Sequence, residues 1–247
     1  MAPPVAALAA GAVALLAWRA RSLTAGGAAA GWLVGTLVLA GTGWAGGAVL
    51  AAFFVSGSAV SRRERRDQRQ VAANGGPAAV GALLGLHDPA LGLWIVTGSL
   101  AGAAADTWAT GIGARSRTAP RLLLLGRRVL AGTSGGMTPL GCAGAAAGSL
   151  LVAATGAAAG SAPALLPLGT LVGFTGMLAD SVLGSACQAR FHCPACAEPS
   201  EWRVHRRCGS RTRLEGGVRW LDNDGVNLAA TALAGALAGL AWLACCR

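Results

Sequence analysis

The sequence predicts an all-α fold: a polytopic transmembrane helical bundle of about eight helices, with short loops and both termini on the non-cytosolic side. Three observations predict it. The chain is 54% hydrophobic and only 12% charged, half the roughly 25% charge of a soluble domain. Apolar runs recur along its whole length, near the roughly 20 residues needed to cross a bilayer. The arginines collect in alternate gaps between those runs. The 247 residues read as a single integral membrane domain, 1–247.

The first segment, 3–18, is apolar, with no positive region before it and Arg19 and Arg21 after it. That is the reverse of a secretory signal peptide, so it reads as a membrane helix. The second and third segments, 25–41 and 43–60, meet at an uncharged junction around Gly41; Arg62, Arg63, Arg65, Arg66 and Arg69 follow. The fourth, 72–86, is the weakest and opens on Asn74-Gly75-Gly76-Pro77. The fifth, 89–112, lies between His87-Asp88 and a run from Arg115 to Arg128. The sixth, 135–158, opens on Gly132-Thr133-Ser134-Gly135-Gly136. The seventh, 163–188, precedes a polar loop, 189–224, holding seven arginines. The eighth, 226–245, opens on Asp222-Asn223-Asp224-Gly225-Val226-Asn227. The 38 glycines suit helices that approach closely in a membrane.

In this arrangement 19 of the 20 arginines fall on one side. The positive-inside bias makes that side cytosolic. The same placement turns the net charge of +10 into a topological signal and argues against nucleic acid as a partner. The chain has no Lys, so any anion clamp uses Arg or backbone N–H groups.

Two of the ten acidic residues, Asp106 and Asp180, lie inside apolar segments. Carboxylates are costly there and point to function; the bland alternative is a pair bonded to neighbouring helices. Asp106, Thr110 and Gly113 share one helix face, with Thr107 beside them. Asp180, Gly184 and Gln188 share another, with Ser181 and Ser185 adjacent. The three Gly-rich helix starts would present unpaired N–H groups to an anion, although each alone also reads as an ordinary cap or turn. Two carboxylates, such starts and many arginines suit Mg²⁺ bridging phosphate oxygens.

The polar loop carries Cys193, Cys196, His205 and Cys208 as C-x-x-C and H-x-x-C. Four such ligands suit structural Zn²⁺; free thiols and a disulfide are the alternatives.

Across its length, from about Leu23 to Leu243, the chain resembles the transmembrane protein 19 family, also called integral membrane domain of unknown function ninety-two. The resemblance is carried by L-T-A-G-G at Leu23, F-F-V-S-G-S at Phe53, Q-V-A-A-N-G-G at Gln70 and A-D-T-W-A-T-G-I-G at Ala105. It continues with P-R at Pro120, G-T-S-G-G at Gly132, D-S-V-L-G-S-A-C-Q at Asp180, the Cys/His loop and D-N-D-G-V-N at Asp222. Plant members of that family are phytyl-phosphate kinases. The resemblance therefore implies transfer of a phosphoryl group from a nucleoside triphosphate, CTP above all, to an isoprenoid monophosphate such as phytyl or geranylgeranyl phosphate. It implies Asp106 and Asp180 as Mg²⁺-binding or catalytic carboxylates. Thr133, Ser134, Gly135 and Gly136 would cradle phosphates, and Asn74, Asn223, Asp224 and Asn227 would complete a site facing the cytosol. In one place the chain departs from the family pattern: Gly111 stands where a Glu is usual. The competing readings are a cytidylyltransferase acting on a lipid phosphate and a transporter of ions or small solutes, since intramembrane carboxylates also occur in carriers.

Overall fold

The computed structural model describes residues 1–61, 65–123, 126–200 and 202–246. Arg62, Arg63 and Arg247, part of the charge alternation, lie outside them. The described residues form seven helices: α1 (Pro3–Arg19), α2 (Ala25–Val60), α3 (Gln68–Leu84), α4 (Pro89–Gly113), α5 (Pro139–Ala159), α6 (Leu165–Ala186) and α7 (Asn223–Cys245). Four of these, α2, α5, α6 and α7, are long and apolar enough to cross a membrane. The molecule is a mostly helical membrane protein, but the expectation of an all-α chain with short loops needs correcting. A two-residue pair, β1 (Arg121–Leu122) with β2 (Gly136–Met137), and a three-stranded sheet in the order β4-β3-β5 interrupt the helices. The sheet strands are β3 (Arg190–Cys193), β4 (Glu198–Ser200) and β5 (Arg213–Gly216), all antiparallel, inside the polar loop.

Two expected helices, 25–41 and 43–60, run on as one element broken at Gly43, whose φ of 64° and ψ of −154° are not helical. Glycine tolerates this backbone where a Cβ would not. The chain folds back there, because a Cβ on Gly35 would lie 3.8 Å from Leu50 Cδ2. The two halves of α2 therefore lie side by side.

The third helix starts earlier than the sequence suggests. Asp67 caps it, its carboxylate accepting from the N–H groups of Arg69 and Gln70, both at 3.0 Å. Asn74-Gly75-Gly76-Pro77 thus lies within a helix and does not open one. Pro77 has no N–H for the carbonyl four residues back, which is that of Ala73. The Thr231 hydroxyl on α7 takes that role: its oxygen lies 2.9 Å from Ala73 O and 2.8 Å from Asn227 O, sharing one proton between them.

The axis of the bundle is α4, buried nearly without interruption from Gly92 to Ala105. Small residues let its neighbours approach. A Cβ on Gly98 would sit 2.8 Å from Ala234 O on α7, and one on Gly148 would sit 2.9 Å from Ala104 O on α4. Such approaches replace bulk by backbone contact, the packing that membrane helices use in place of hydrophobic exclusion.

Candidate functional site

The same close packing aligns the two intramembrane acids. α4 and α6 run parallel: a Cβ on Gly169 would lie 3.7 Å from Thr97 Cγ2, and one on Gly176 only 3.4 Å from Gly102 Cα. Asp106 and Asp180 each stand four residues beyond that crossing, one helical turn further along the same faces. They are level with one another. α7 runs the opposite way past both helices. The Gly176 position is 3.3 Å from Ala230 O, so Asn227, one turn nearer the start of α7, comes level with the carboxylates. Asp180 Oδ2 is buried with no hydrogen-bond partner among the described residues. A buried acceptor left unmatched is expensive; a cation, a proton or a donated hydrogen bond would satisfy it.

Over this pair lies the loop before β2. Gly132 and Gly135 take φ of 87° and 75°. Gly135 touches α6 directly: a Cβ there would run into Ser181 O and come within 2.7 Å of Ser185 Cβ. The Ser134 hydroxyl donates to Gln188 Oε1 at 2.7 Å, and Gln188 is buried. Ser134, Gly135, Ser181 and Gln188 are therefore one contact surface, on the arginine-rich end of the bundle. The expectation that residues 132–136 open a helix is corrected, however. α5 begins only at Pro139, with Thr138 as its cap accepting from Gly141 N at 3.0 Å. Thr133 to Gly136 form a turn, the Thr133 carbonyl accepting from Gly136 N at 3.0 Å. No helix dipole stands behind them.

The start of α7 does match its expectation. Asp222 caps it through Gly225 N at 3.0 Å and receives Arg69 Nη2 at 2.6 Å; Asp224 lies 3.5 Å from Arg69 Nε. Arg69, counted in the sequence only as a topological charge, thus ties α3 to α7. Asn223 is exposed, away from the pair, and Thr110 is exposed at the end of α4. Thr107 turns toward the end of α2, its Cγ2 lying 3.5 Å from where a Gly57 Cβ would be. Asn74 belongs to the wall of a separate apolar cavity between α1, α2 and α3. Arg66 lines the same cavity. It was masked in the sequence by the surrounding charge run, and only the spacing of Arg66, Gln70 and Asn74, one helical turn each, hints at it.

Gly111 gains a physical account. A Cβ there would press on the Val60 side chain and lie 3.2 Å from Val60 O. The side chain that the family pattern would put here has no room against the end of α2. Gly111→Glu is expected to lower the thermal unfolding midpoint. Introducing a charge into a crowded helix crossing costs about 1–3 kcal/mol in overpacking alone. Thermal melts of the purified variant check this.

In the polar loop the four thiol and imidazole groups converge. One ligand atom from each of Cys193, Cys196, His205 and Cys208 lies within 4.8 Å of every other. Cys193 Sγ is 3.5 Å from Cys208 Sγ, and His205 Nδ1 is 3.2 Å from Cys208 Sγ. Sulfurs bound tetrahedrally at 2.3 Å stand about 3.8 Å apart, so the donor set fits zinc. Each four-residue turn is followed by a left-handed residue, Ala197 at φ 54° and Gly209 at φ 70°. The other ring nitrogen of His205, Nε2, faces Glu198 at 3.7 Å, the carboxylate–imidazole arrangement that orients metal-bound histidines.

Comparison with known proteins adds to this geometry. A family model described as integral membrane protein DUF92 matches residues 8–235. The chain is 30% identical over 271 aligned positions to Protein PGR of Arabidopsis thaliana, covering 93% of this chain and 92% of that one. No solved structure matches.

Proposed function

The chain belongs to the DUF92 family of integral membrane proteins, and from that premise we propose that it is a membrane-embedded kinase. It transfers the γ-phosphoryl group of a nucleoside triphosphate, CTP in the first instance, to an isoprenoid monophosphate such as phytyl or geranylgeranyl phosphate. The observation that carries the reading is the levelled pair Asp106 and Asp180, with Asp180 Oδ2 buried and without a hydrogen-bond partner among the described residues.

The chemistry asks little covalent work of the protein. A monophosphate oxygen is already a nucleophile; it bonds to the γ-phosphorus as the β–γ bridging bond breaks, and the nucleoside diphosphate leaves. What the chain must supply is positioning and charge neutralisation. Asp106 and Asp180 would hold Mg²⁺, which supplies neutralisation of the phosphate oxygens. Asn227 and Ser181 stand level with or next to the carboxylates. In the turn of Thr133 to Gly136, Gly136 N and Thr133 N are already bonded within the loop, which leaves the N–H groups of Ser134 and Gly135 for a phosphate. The site lies at the arginine-rich end, and the positive-inside bias supports a cytosolic placement, where the nucleotide is.

Purified protein supplied with phytyl or geranylgeranyl phosphate, Mg²⁺ and either CTP or ATP is expected to yield the prenyl diphosphate. A nucleotidyl-lipid product would make the chain a cytidylyltransferase instead. No turnover with any pair, together with solute flux in proteoliposomes, would favour the transporter.

We further propose that Cys193, Cys196, His205 and Cys208 hold a structural Zn²⁺ that fixes the sheet of the polar loop. Wild-type protein is expected to carry about one zinc per chain, measured by plasma mass spectrometry after dialysis. Cys193→Ser and Cys208→Ser are expected to carry none. Zinc-free wild type with all four groups open to alkylating or acylating reagents would overturn this.

A further inference from the structure

A cavity of about 430 Å³ lies between α1, both halves of α2 and α3, within the 300–1,000 Å³ typical of small-molecule sites. Its walls are nearly all apolar, from Trp44 near one end of the second half of α2 to Phe54 near the other. That stretch of helix is about 15 Å long at 1.5 Å per residue. Val13, Trp44 and Val55 line the cavity and are also 60%, 68% and 65% exposed. The space therefore opens sideways, where the bilayer would lie, between α1 and α2.

One end of the cavity is different. Arg66 lines it there, with Gln70 and Asn74. The Arg66 guanidinium sits over the rings of Phe53 and Phe54, 5.2 and 5.6 Å from their centres. Its backbone is clamped: Arg66 N donates to Ser22 O and Thr24 N donates to Arg66 O, both at 3.0 Å. Among the described residues it makes no ion pair, unlike Arg69 three positions on. Partial burial is costly to a cation and lowers the pKa of Arg66 from the usual guanidinium value. The same guanidinium comes close to α4 where α2 crosses it. A Cβ on Gly57 would be 2.6 Å from Arg66 Nη2 and 3.5 Å from Thr107 Cγ2, and Thr107 directly follows Asp106.

We propose that this cavity holds the hydrocarbon chain of the lipid monophosphate substrate, entering sideways from the bilayer, with its phosphate on Arg66 beside Asp106. The assignment rests on the kinase reading for the identity of the lipid. It explains how a substrate with a membrane-soluble tail and a doubly charged head reaches carboxylates that sit behind α2. The tail never leaves an apolar setting, and the head meets a fixed cation.

The test is equilibrium binding of phytyl monophosphate and of phytol to the full chain in phosphatidylcholine nanodiscs, without nucleotide. Wild type is expected to bind the monophosphate more tightly than the alcohol. Arg66→Gln should weaken monophosphate binding by about tenfold or more, the scale of one charge-assisted contact, and leave phytol unchanged. Ala51→Phe and Ala48→Phe, which put a ring into the cavity, should weaken both ligands while unfolding midpoints stay near wild type. Equal affinity of wild type for the two ligands, or filled variants that bind like wild type, would overturn the proposal. So would full competition by equimolar phosphatidic acid, which would make the cavity a general anionic-lipid site. The expected binding pattern with no diphosphate formed would leave the cavity assigned and remove the kinase reading.

Discussion

Asp180→Asn is expected to lower diphosphate formation by about a hundredfold or more, the scale seen when one preorganised electrostatic group is removed from a site. The unfolding midpoint is expected to stay level or rise. The two halves of that result belong together. Asp180 Oδ2 is buried with no partner among the described residues, so the carboxylate is a burden on the fold. Asn has nearly the same shape and carries no charge. Replacing an uncompensated buried acid by a neutral isostere removes a desolvation cost. A residue that weakens the fold while it supports turnover is kept for its chemistry. A structural carboxylate would behave in the opposite way, its loss lowering stability and leaving turnover in proportion to folded protein. Asp106→Asn should give the same loss of activity, since the two are level on parallel helices. The double variant should be little worse than either single one, because groups that act as a unit are not additive. The measurement is initial rate per folded molecule, paired with a thermal melt for each variant. Turnover that survives both substitutions would remove the carboxylates from the site.

Gly135→Ala is expected to lower the unfolding midpoint by several degrees. Two costs meet there. The backbone sits at φ 75°, which costs a non-glycine residue about 1–3 kcal/mol. The added carbon would also press on Ser181 O, on Ser185 Cβ at 2.7 Å and on Ser185 N at 2.8 Å. Two of those atoms are helical backbone and cannot turn aside, so overpacking adds about 1–3 kcal/mol more. The loop must lift from α6, and the 2.7 Å bond from Ser134 to Gln188 goes with it. Gly132→Ala is the control. It has φ of 87°, but nothing lies within 4 Å of its added carbon, so only the backbone strain remains. The expected order of unfolding midpoints is wild type, then Gly132→Ala, then Gly135→Ala several degrees lower. At about 2–4 °C per kcal/mol for a chain of this size, a thermal melt resolves it. Equal midpoints for the two variants would mean that the loop does not bear on α6.

What the sequence made legible follows from which forces act locally. Apolar runs and arginine gaps marked the helical segments, because crossing a bilayer imposes length and composition directly. Asp106 and Asp180 stood out because a carboxylate in such a run is rare. Where the reading missed, the deciding contact was distant. The helix expected at residue 72 begins at Gln68 because Asp67 caps it, and a run of Arg, Asp and Gln looks like a solvated loop until the cap is seen. The Gly-Gly-Pro inside that helix looked like a helix start. A threonine more than 150 positions away on α7 lets it stay inside. The junction near Gly41 was read correctly as a break, but not that it needs no loop residues, since one glycine at φ 64° reverses the chain. The three-stranded sheet is hard to read from the sequence because its strands are only three or four residues long, whereas its Cys and His spacing is plain.

The hydroxyl of Thr231, standing in for the amide that Pro77 lacks, has a mechanical consequence. It ties the middle of α3 to the first turns of α7, and the Arg69 pairs with Asp222 and Asp224 fasten the same two helices again at their tips. Coupled at two heights, they cannot tilt separately. A motion of α3 against α4 is therefore expected to carry α7 with it, and Asn74 and Asn227 together.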